Sequence, residues 1–224
     1  LGGVTPAGMT PMPAVLMNTP SPLPRSTTLV SPVTIGTPAA RAASTTATLN
    51  AARSNNCTSA SPARYDVGAA STLTVPGVVQ CFASTNSNIV KTGTGTLILS
   101  GGMGGSVTPL FNLAAGKVSI QGGTWSIQTP QTDGYFFRVA GGATYEQTGG
   151  TMNAPFFAVL GASAASALTS TGIFSGGTFN CPDQFMVGRN NSAVMTVSGS
   201  ALVSPLYLRL GEQPTYTTTC NLDG

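Results

Sequence analysis

A thirteen-residue phrase that occurs three times constrains the fold of this chain more than any other feature. Its copies are GGTMNAPFFAVLG at 149–161, GGTFNCPDQFMVG at 176–188 and GSALVSPLYLRLG at 199–211. Each copy opens with glycine, carries a proline six residues before its closing glycine and ends in an apolar run. The copies begin 27 (176 − 149) and 23 (199 − 176) residues apart, a spacing typical of solenoid repeats.

The residues before each glycine alternate between apolar and polar. Immediately before it stand Ser100, Gln121, Thr148, Ser175, Ser198 and Asp223. Two residues before it stand Leu99, Ile120, Gln147, Phe174, Val197 and Leu222. Four before it stand Leu97, Val118, Tyr145, Gly172, Met195 and Cys220. This period of two predicts strands with one buried face.

Glycine and proline divide the repeat into sides. We predict a strand, a glycine corner, a short strand, a proline corner and a further strand. After the glycines, Trp125, Met152, Phe179 and Leu202 align as core residues, and Met152, Phe157 and Val159 are expected to fill the core of their copy. The predicted structural corners are Gly149, Pro155, Gly161, Gly176, Pro182, Gly188, Gly199, Pro205 and Gly211.

A unit of 21 to 27 residues (122 − 101 and 149 − 122) cannot bury its own apolar face, but stacked copies can. We therefore predict an all-β fold, a parallel β-helix (β-solenoid) of about six coils over 67–224. A jelly roll or sandwich also uses short strands and glycine turns. It does not predict a gapless phrase that occurs three times.

Residues 1–66 differ from the rest in holding nine of the sixteen prolines and no acid before Asp66. Proline favours extended conformations and removes backbone donors. We predict an extended Pro/Ser/Thr-rich arm, and two interpretations stay open. It is either a linker, with O-glycosylation on its many hydroxyls, or an arm that docks on another surface through apolar residues such as Val15 and Leu29.

Charge is scarce, at 7% of residues with a net charge of +3. The basic residues are scattered and are expected to be solvated surface charges, which argues against nucleic-acid binding: Lys91, Lys117, Arg138, Arg189 and Arg209. No apolar run approaches the length of a membrane span. The chain has no histidine, which excludes a Ser-His dyad and a mixed Cys/His zinc site.

An enzyme that cleaves glycans needs two facing carboxylates. Asp133 and Glu146 are the best pair that the sequence offers, and ordinary surface roles explain both. Carbohydrate binding by aromatic side chains is the other glycan-related function that the sequence offers, and its candidates are Trp125, Tyr135, Phe136 and Phe137. We expect no catalytic residue, no cofactor and no metal, and Trp125 is expected in the core.

Four cysteines allow three disulfide pairings. Cys57 and Cys81 are the easiest pair, whereas Cys181 and Cys220 fall about two repeats apart and their pairing is left open. Asn56 and Asn190 begin the glycosylation acceptor patterns NCT and NNS, which matter only in a host with that machinery.

The phrases GTGTLILSGG (93–102), GKVSIQGGTWSIQ (116–128) and YLRLGEQPTYTTTCNLDG (207–224) resemble the autotransporter-associated β-strand repeats of bacterial surface and secreted proteins. The resemblance covers about 88–224. It implies a right-handed parallel β-helix on a secreted or surface-displayed chain, and it carries no catalytic residue.

The phrase that ends at Gly224 has no polar cap, and uncapped coils offer a template to another chain. We predict a non-enzymatic extracellular structural protein, a self-assembling filament subunit (a homopolymer) with docking of the arm. A surface adhesin or passenger domain, monomeric or part of a longer chain, is the alternative. A glycan-binding or glycan-cleaving β-helix is the second alternative.

Overall fold

The structure, a computed structural model, describes residues 33–35, 46–48, 52–54, 63–81, 88–105, 110–127, 135–155, 157–162 and 167–223. Within these ranges the chain forms strands and no helix. The strands are β1 (Val33–Ile35), β2 (Thr46–Thr48), β3 (Ala52–Ser54), β4 (Ala63–Val67), β5 (Thr72–Val75), β6 (Val79–Cys81), β7 (Asn88–Thr92), β8 (Thr96–Leu99), β9 (Met103–Gly105), β10 (Leu110–Leu113), β11 (Lys117–Ile120), β12 (Thr124–Ser126), β13 (Tyr135–Val139), β14 (Thr144–Gln147), β15 (Thr151–Asn153), β16 (Phe157–Leu160), β17 (Ser170–Phe174), β18 (Thr178–Val187), β19 (Ala193–Ser198), β20 (Leu202–Leu210) and β21 (Thr218–Asp223).

The strands stack into three faces of a parallel β-solenoid. The first face runs β1-β4-β7-β10-β13-β16 and continues through the second halves of β18 and β20. The second face runs β2-β5-β8-β11-β14-β17-β19-β21. The third face contains β3-β6-β9 and then β12-β15, followed by the first halves of β18 and β20. In the described residues the paired strands are equivalent strands of neighbouring coils and run in parallel, so the predicted fold is confirmed.

The second face confirms the register that the glycine alignment predicts. Ile120 pairs with Leu99 and Gln147, and Phe174 pairs with Gln147 and Val197. The row four residues before the glycines is equally continuous, from Leu97 to Cys220. The whole face from β2 to β21 is paired without a register shift.

Two predicted core positions are wrong by one residue. Val203, and not Leu202, pairs with Phe179, and Leu202 is 58% exposed. Three residues, 175–177, separate Phe174 from Thr178, whereas four, 198–201, separate their partners Val197 and Leu202, and a bulge between Cys181 and Gln184 restores the register. The gapless match of the two phrases hides this pair of compensating changes.

The second correction concerns the apolar run of the first phrase. Ala158 and Leu160 belong to the core cluster, whereas Val159 is buried on the outer side of β16. Val159 pairs with Arg138 in the preceding coil and so continues an outward-facing row. Met152 is fully buried, as predicted, and the side chain of Phe157 lies outside the described residues.

The coil interior is filled by a column of aromatic rings. Phe137 and Phe111 stack with ring centroids 5.5 Å apart. Phe179 contacts the rings of Phe137, Phe174 and Phe185 at centroid distances of 5.1 to 5.3 Å. Offset and edge-to-face arrangements of this kind stabilise a core beyond the area they bury.

The paired glycines at the corners do two different jobs. Gly149 and Gly176 face backbone oxygens of the preceding coil, those of Gln121 and Thr148, so closely that no Cβ fits. The second glycine of each pair carries the left-handed backbone, with φ of 70° at Gly150. The first glycine of each pair is therefore needed for the close approach of two coils, and the second for the left-handed backbone at the corner.

We expect Gly150→Ala to lower the free energy of unfolding by at least about 2 kcal/mol, because a left-handed backbone strains alanine. Its added Cβ would also lie 2.5 Å from the carbonyl oxygen of Gly123. Gly104→Ala is the matched control, since its Cβ would meet only the side chains of Val78 and Gln80. Urea unfolding of both variants checks this. Equal losses would contradict the assignment.

Strands β1 to β3 and most of β4 lie within 1–66, the segment predicted as an extended arm. Val33 pairs with Tyr65, Thr46 with Thr72, and Ala52 with Val79. The described parts of this segment thus add strands to the same three faces. The division at residue 66 stays a prediction, and most of the segment lies outside the described residues.

Candidate functional site

The best carboxylate candidate, Glu146, is held in a surface ion pair. Its Oε1 accepts from Lys117 Nζ at 2.7 Å, and its Oε2 accepts from Ser119 Oγ at 2.7 Å. Burial raises the pKa of Glu146, but the hydrogen bonds from Lys117 and Ser119 and the lysine charge outweigh it and lower the pKa overall. Asp133 lies outside the described residues. The contacts of Glu146 are those of a charge that ties two coils together.

The predicted structural corners fall at the ends of strands or at a bulge. Pro155 lies between β15 and β16, and Gly161, Gly188 and Gly211 follow β16, β18 and β20 with left-handed backbones. Gly199 follows β19 with φ of 59°. Pro182 and Pro205 do not interrupt their strands, because the chain bends there at the bulge of β18 against β20.

The described cysteines are thiols on different faces. Cys181 pairs with Pro205, and its thiol donates a hydrogen bond to the carbonyl oxygen of Gln184 at 3.3 Å. Cys220 pairs with Met195. Burial raises the pKa of both thiols. Cys57 lies outside the described residues, as does the side chain of Cys81. Within the described ranges no three metal-ligating side chains gather.

Of the remaining predicted positions, Trp125 is fully buried, and its Nε1 donates to the carbonyl oxygen of Gly122 at 2.9 Å. Phe137 is also buried in the core. The side chains of Tyr135 and Phe136 lie outside the described residues. Asn190 is half-buried beside Gln213, which donates to its Oδ1 at 3.4 Å, and Asn56 lies outside the described residues.

The prediction that Lys91 is a solvated surface charge is wrong. Lys91 is 1% exposed on the inner side of β7. Its Nζ donates to the carbonyl oxygens of Thr92 at 2.6 Å, Gly93 at 2.7 Å and Ala115 at 3.2 Å. Burial lowers its pKa to about 8, and the charge of Asp66 opposes this. The alternation after Ile89 was the signal that could have placed it inside.

A second buried polar cluster surrounds Gln147, the one polar residue in the row that lies two positions before the corner glycines. Gln147 is fully buried, accepts from the hydroxyl of Tyr145 at 3.0 Å and donates to the carbonyl oxygens of Gly150 and Thr178 at 3.3 and 3.0 Å. Each polar atom of this amide has a partner, as burial requires. The contacts join a strand to the next corner.

The strongest surface feature is an apolar patch on the last described coil, which we call the open face. Its residues continue inward-facing rows that are buried one coil earlier. Leu208 and Leu210 are 43% and 51% exposed, whereas their partners Phe185 and Val187 are buried. The open face comprises Val203, Leu208, Leu210, Cys220 and Leu222.

Comparison of the chain with protein-family models, curated proteins and solved structures finds no match. The likeness to autotransporter-associated repeats therefore stays a prediction that rests on the quoted phrases. Within the described ranges, the chain has no helix with the length and apolarity that crossing a membrane requires.

Proposed function

We propose that this chain is a non-enzymatic extracellular structural protein whose copies stack end to end into filaments. The open face is the observation that carries the proposal. Leu222 is 75% exposed although its partner in the preceding coil, Val197, packs against the core. Contiguous exposed apolar patches of this kind mark interaction sites.

The backbone of the same coil supports stacking. Strand β20 pairs with β18, and β21 pairs with β19; within the described ranges neither has a partner on its other side. An unpaired parallel edge presents a row of N–H and C=O groups that another strand satisfies. The occupant of the open face is therefore expected to be a β-coil.

The first described coil has the complementary edge. Within the described ranges, β1 pairs only with β4, β2 only with β5, and β3 only with β6. A second copy would continue all three faces if its β1 followed the end of β20, its β2 followed β21 and its β3 followed the start of β20. This register places Val33 of the added copy in the row of Leu210, and Ala47 in the row of Cys220.

In this register Ala47 and Ala52 of the added copy belong to the rows of Leu73 and Val79, which are buried in the next coil. The extracellular location rests on the Ser/Thr/Gly-rich composition and on the scarcity of charge. A coil from a longer chain would cover the same patch in a monomeric adhesin, which is the alternative.

Electron microscopy and sedimentation of the purified chain test the proposal. We expect fibres whose diffraction shows an axial repeat of about 4.8 Å. Leu208→Lys with Leu222→Lys should leave dispersed short rods, because buried charge opposes stacking. Leu168→Lys is the matched control, since Leu168 is 64% exposed away from the open face, and it should still form fibres. A wild-type chain that stays monomeric at high concentration would favour the adhesin.

A further inference from the structure

Pro182 and Pro205 hold equivalent places in the sequence but different places in the ladder. Each lies six residues before the closing glycine of its phrase. Pro205 nevertheless pairs with Cys181, the residue before Pro182, because the corner before β20 has one extra residue. The extra residue therefore moves this proline by one position relative to the strand on which it is stacked.

The move by one position decides which neighbouring coil the proline nitrogen faces. Consecutive residues of a parallel strand direct their backbone groups alternately to the two neighbouring strands. The N–H of Leu202 donates to the carbonyl oxygen of Gly177 in the preceding coil at 2.9 Å. The alternation therefore turns Ser204 toward the preceding coil and turns Val203 and Pro205 away from it, toward what we call the open side.

The earlier coils give the same direction for the row to which Pro205 belongs. Asn153 pairs with Asn180. The residues that follow them, Ala154 and Cys181, are therefore neighbours, and Cys181 pairs in turn with Pro205. The N–H of Ala154 donates to the carbonyl oxygen of Asn180 in the following coil at 2.8 Å. The donors of this row thus face the following coil, and in the last described coil the residue of this row has no N–H.

Pro205 therefore leaves the ladder to β18 intact and removes a donor from the open side alone. Within the described ranges, β20 has no strand on its open side. Proteins blunt exposed strand edges against association with proline at positions of this kind, where the missing N–H faces solvent. The other half of β20 keeps its donors. The N–H of Gly211 donates to Val187 in the preceding coil, so by alternation Leu208 and Leu210 direct theirs to the open side.

We propose that Pro205 limits the stacking of copies by withholding one hydrogen bond on the open side. The inference rests on the proposed function, because it takes the occupant of the open face to be a second copy. A copy that continues the third face places a carbonyl oxygen opposite Pro205 and finds no donor there. A carbonyl group that gives up water without a new partner weakens the contact. The apolar open face promotes association, and the proline sets the concentration at which it occurs.

Sedimentation of the purified chain over a series of concentrations measures the critical concentration for fibres. Pro205→Ala restores an N–H on the open side. We expect its critical concentration to be about fivefold lower than that of the wild type, the factor that one net hydrogen bond gives. Pro182→Ala is the matched control. By the same alternation its new N–H would face the preceding coil, so the critical concentration should stay that of the wild type.

Val203→Pro is the opposite test, because it removes a further donor from the open side while Leu202 and Ser204 keep theirs toward β18. It should raise the critical concentration by about fivefold or more at a wild-type melting temperature. If the wild type forms fibres and Pro205→Ala does not lower the critical concentration, the role of Pro205 is overturned and the proposed function stands. Fibres from Pro205→Ala alone would support that role and overturn stacking of the wild type. No association of either chain would overturn both.

Discussion

Replacing Phe179 with alanine is expected to lower the free energy of unfolding by about 3–5 kcal/mol. Phe179 is 1% exposed and contacts four other rings: Phe137, Tyr145, Phe174 and Phe185. Its neighbours lie in three different coils on the first and second faces, and Phe179 itself lies on the third, so a smaller side chain leaves a cavity that no single strand can close. The cavity adds to the lost transfer free energy.

Urea unfolding, followed by circular dichroism below the concentration at which copies associate, measures the loss. Tyr207→Ala is the matched control, because Tyr207 is an aromatic residue on the same stack of strands but 57% exposed. The control should change stability by less than about 0.5 kcal/mol. A loss below about 1 kcal/mol for Phe179→Ala would mean that the aromatic column does not hold the coils together.

Lys91 is expected to contribute a part of the stability that rises with pH between about 8 and 10. The pKa of Lys91 is about 8 in the folded chain, since burial disfavours its charge, and 10.5 is its ordinary value. Between these values the unfolded chain binds more protons, so the free energy of unfolding increases with pH. For this shift the increase from pH 8 to pH 10 is about 2 kcal/mol.

The rise should end above pH 10. Burial raises the pKa of Tyr145 well above its ordinary value of 10.0, so the unfolded chain ionises first and stability falls as the pH rises further. The thiols of Cys181 and Cys220, whose pKa burial also raises, oppose the rise in the same way, so the contribution of Lys91 is measured as a difference from a variant that lacks it. Urea unfolding at pH 7, 8, 9 and 10 measures the rise.

The free energy of unfolding of the wild type relative to that of Lys91→Met should rise by about 2 kcal/mol between pH 8 and 10, whatever the effect of the substitution on absolute stability. Lys117→Met is the control, because Lys117 lies on the surface in its ion pair with Glu146, with 38% of its side chain exposed, and it should keep the rise. A difference between the wild type and Lys91→Met that stays constant from pH 8 to 10 would contradict the role of Lys91.

The sequence predicts the second face of the solenoid correctly, and the reason is geometric. On this face each of these strands is followed by a corner glycine without an insertion between them. Leu99, Ile120 and Phe174 therefore align by counting back from glycine. The third face defeated the same count. Val203, and not Leu202, lies in the core row, because the corner before β20 has one extra residue. The bulge of β18 against β20 restores the total length, but between the corner and the bulge each side chain is shifted by one position.

The buried lysine shows a different limit of prediction from sequence. Lys91 alternates with Ile89 and so belongs inside by parity, but a charge in a core depends on carbonyl oxygens that only the folded corner supplies. The carbonyl oxygens that Lys91 contacts cannot be deduced from the local sequence pattern.

Strand β18 passes from the third face to the first without a break, and β20 pairs along both of its halves. A corner in this part of the coil is thus a bend within a ladder and not a loop between two ladders. The two faces cannot pivot about that corner without breaking hydrogen bonds in both strands at once. The segment from β18 to β20 should therefore resist bending as a single unit. Earlier coils, which have separate strands on each face, should bend more easily.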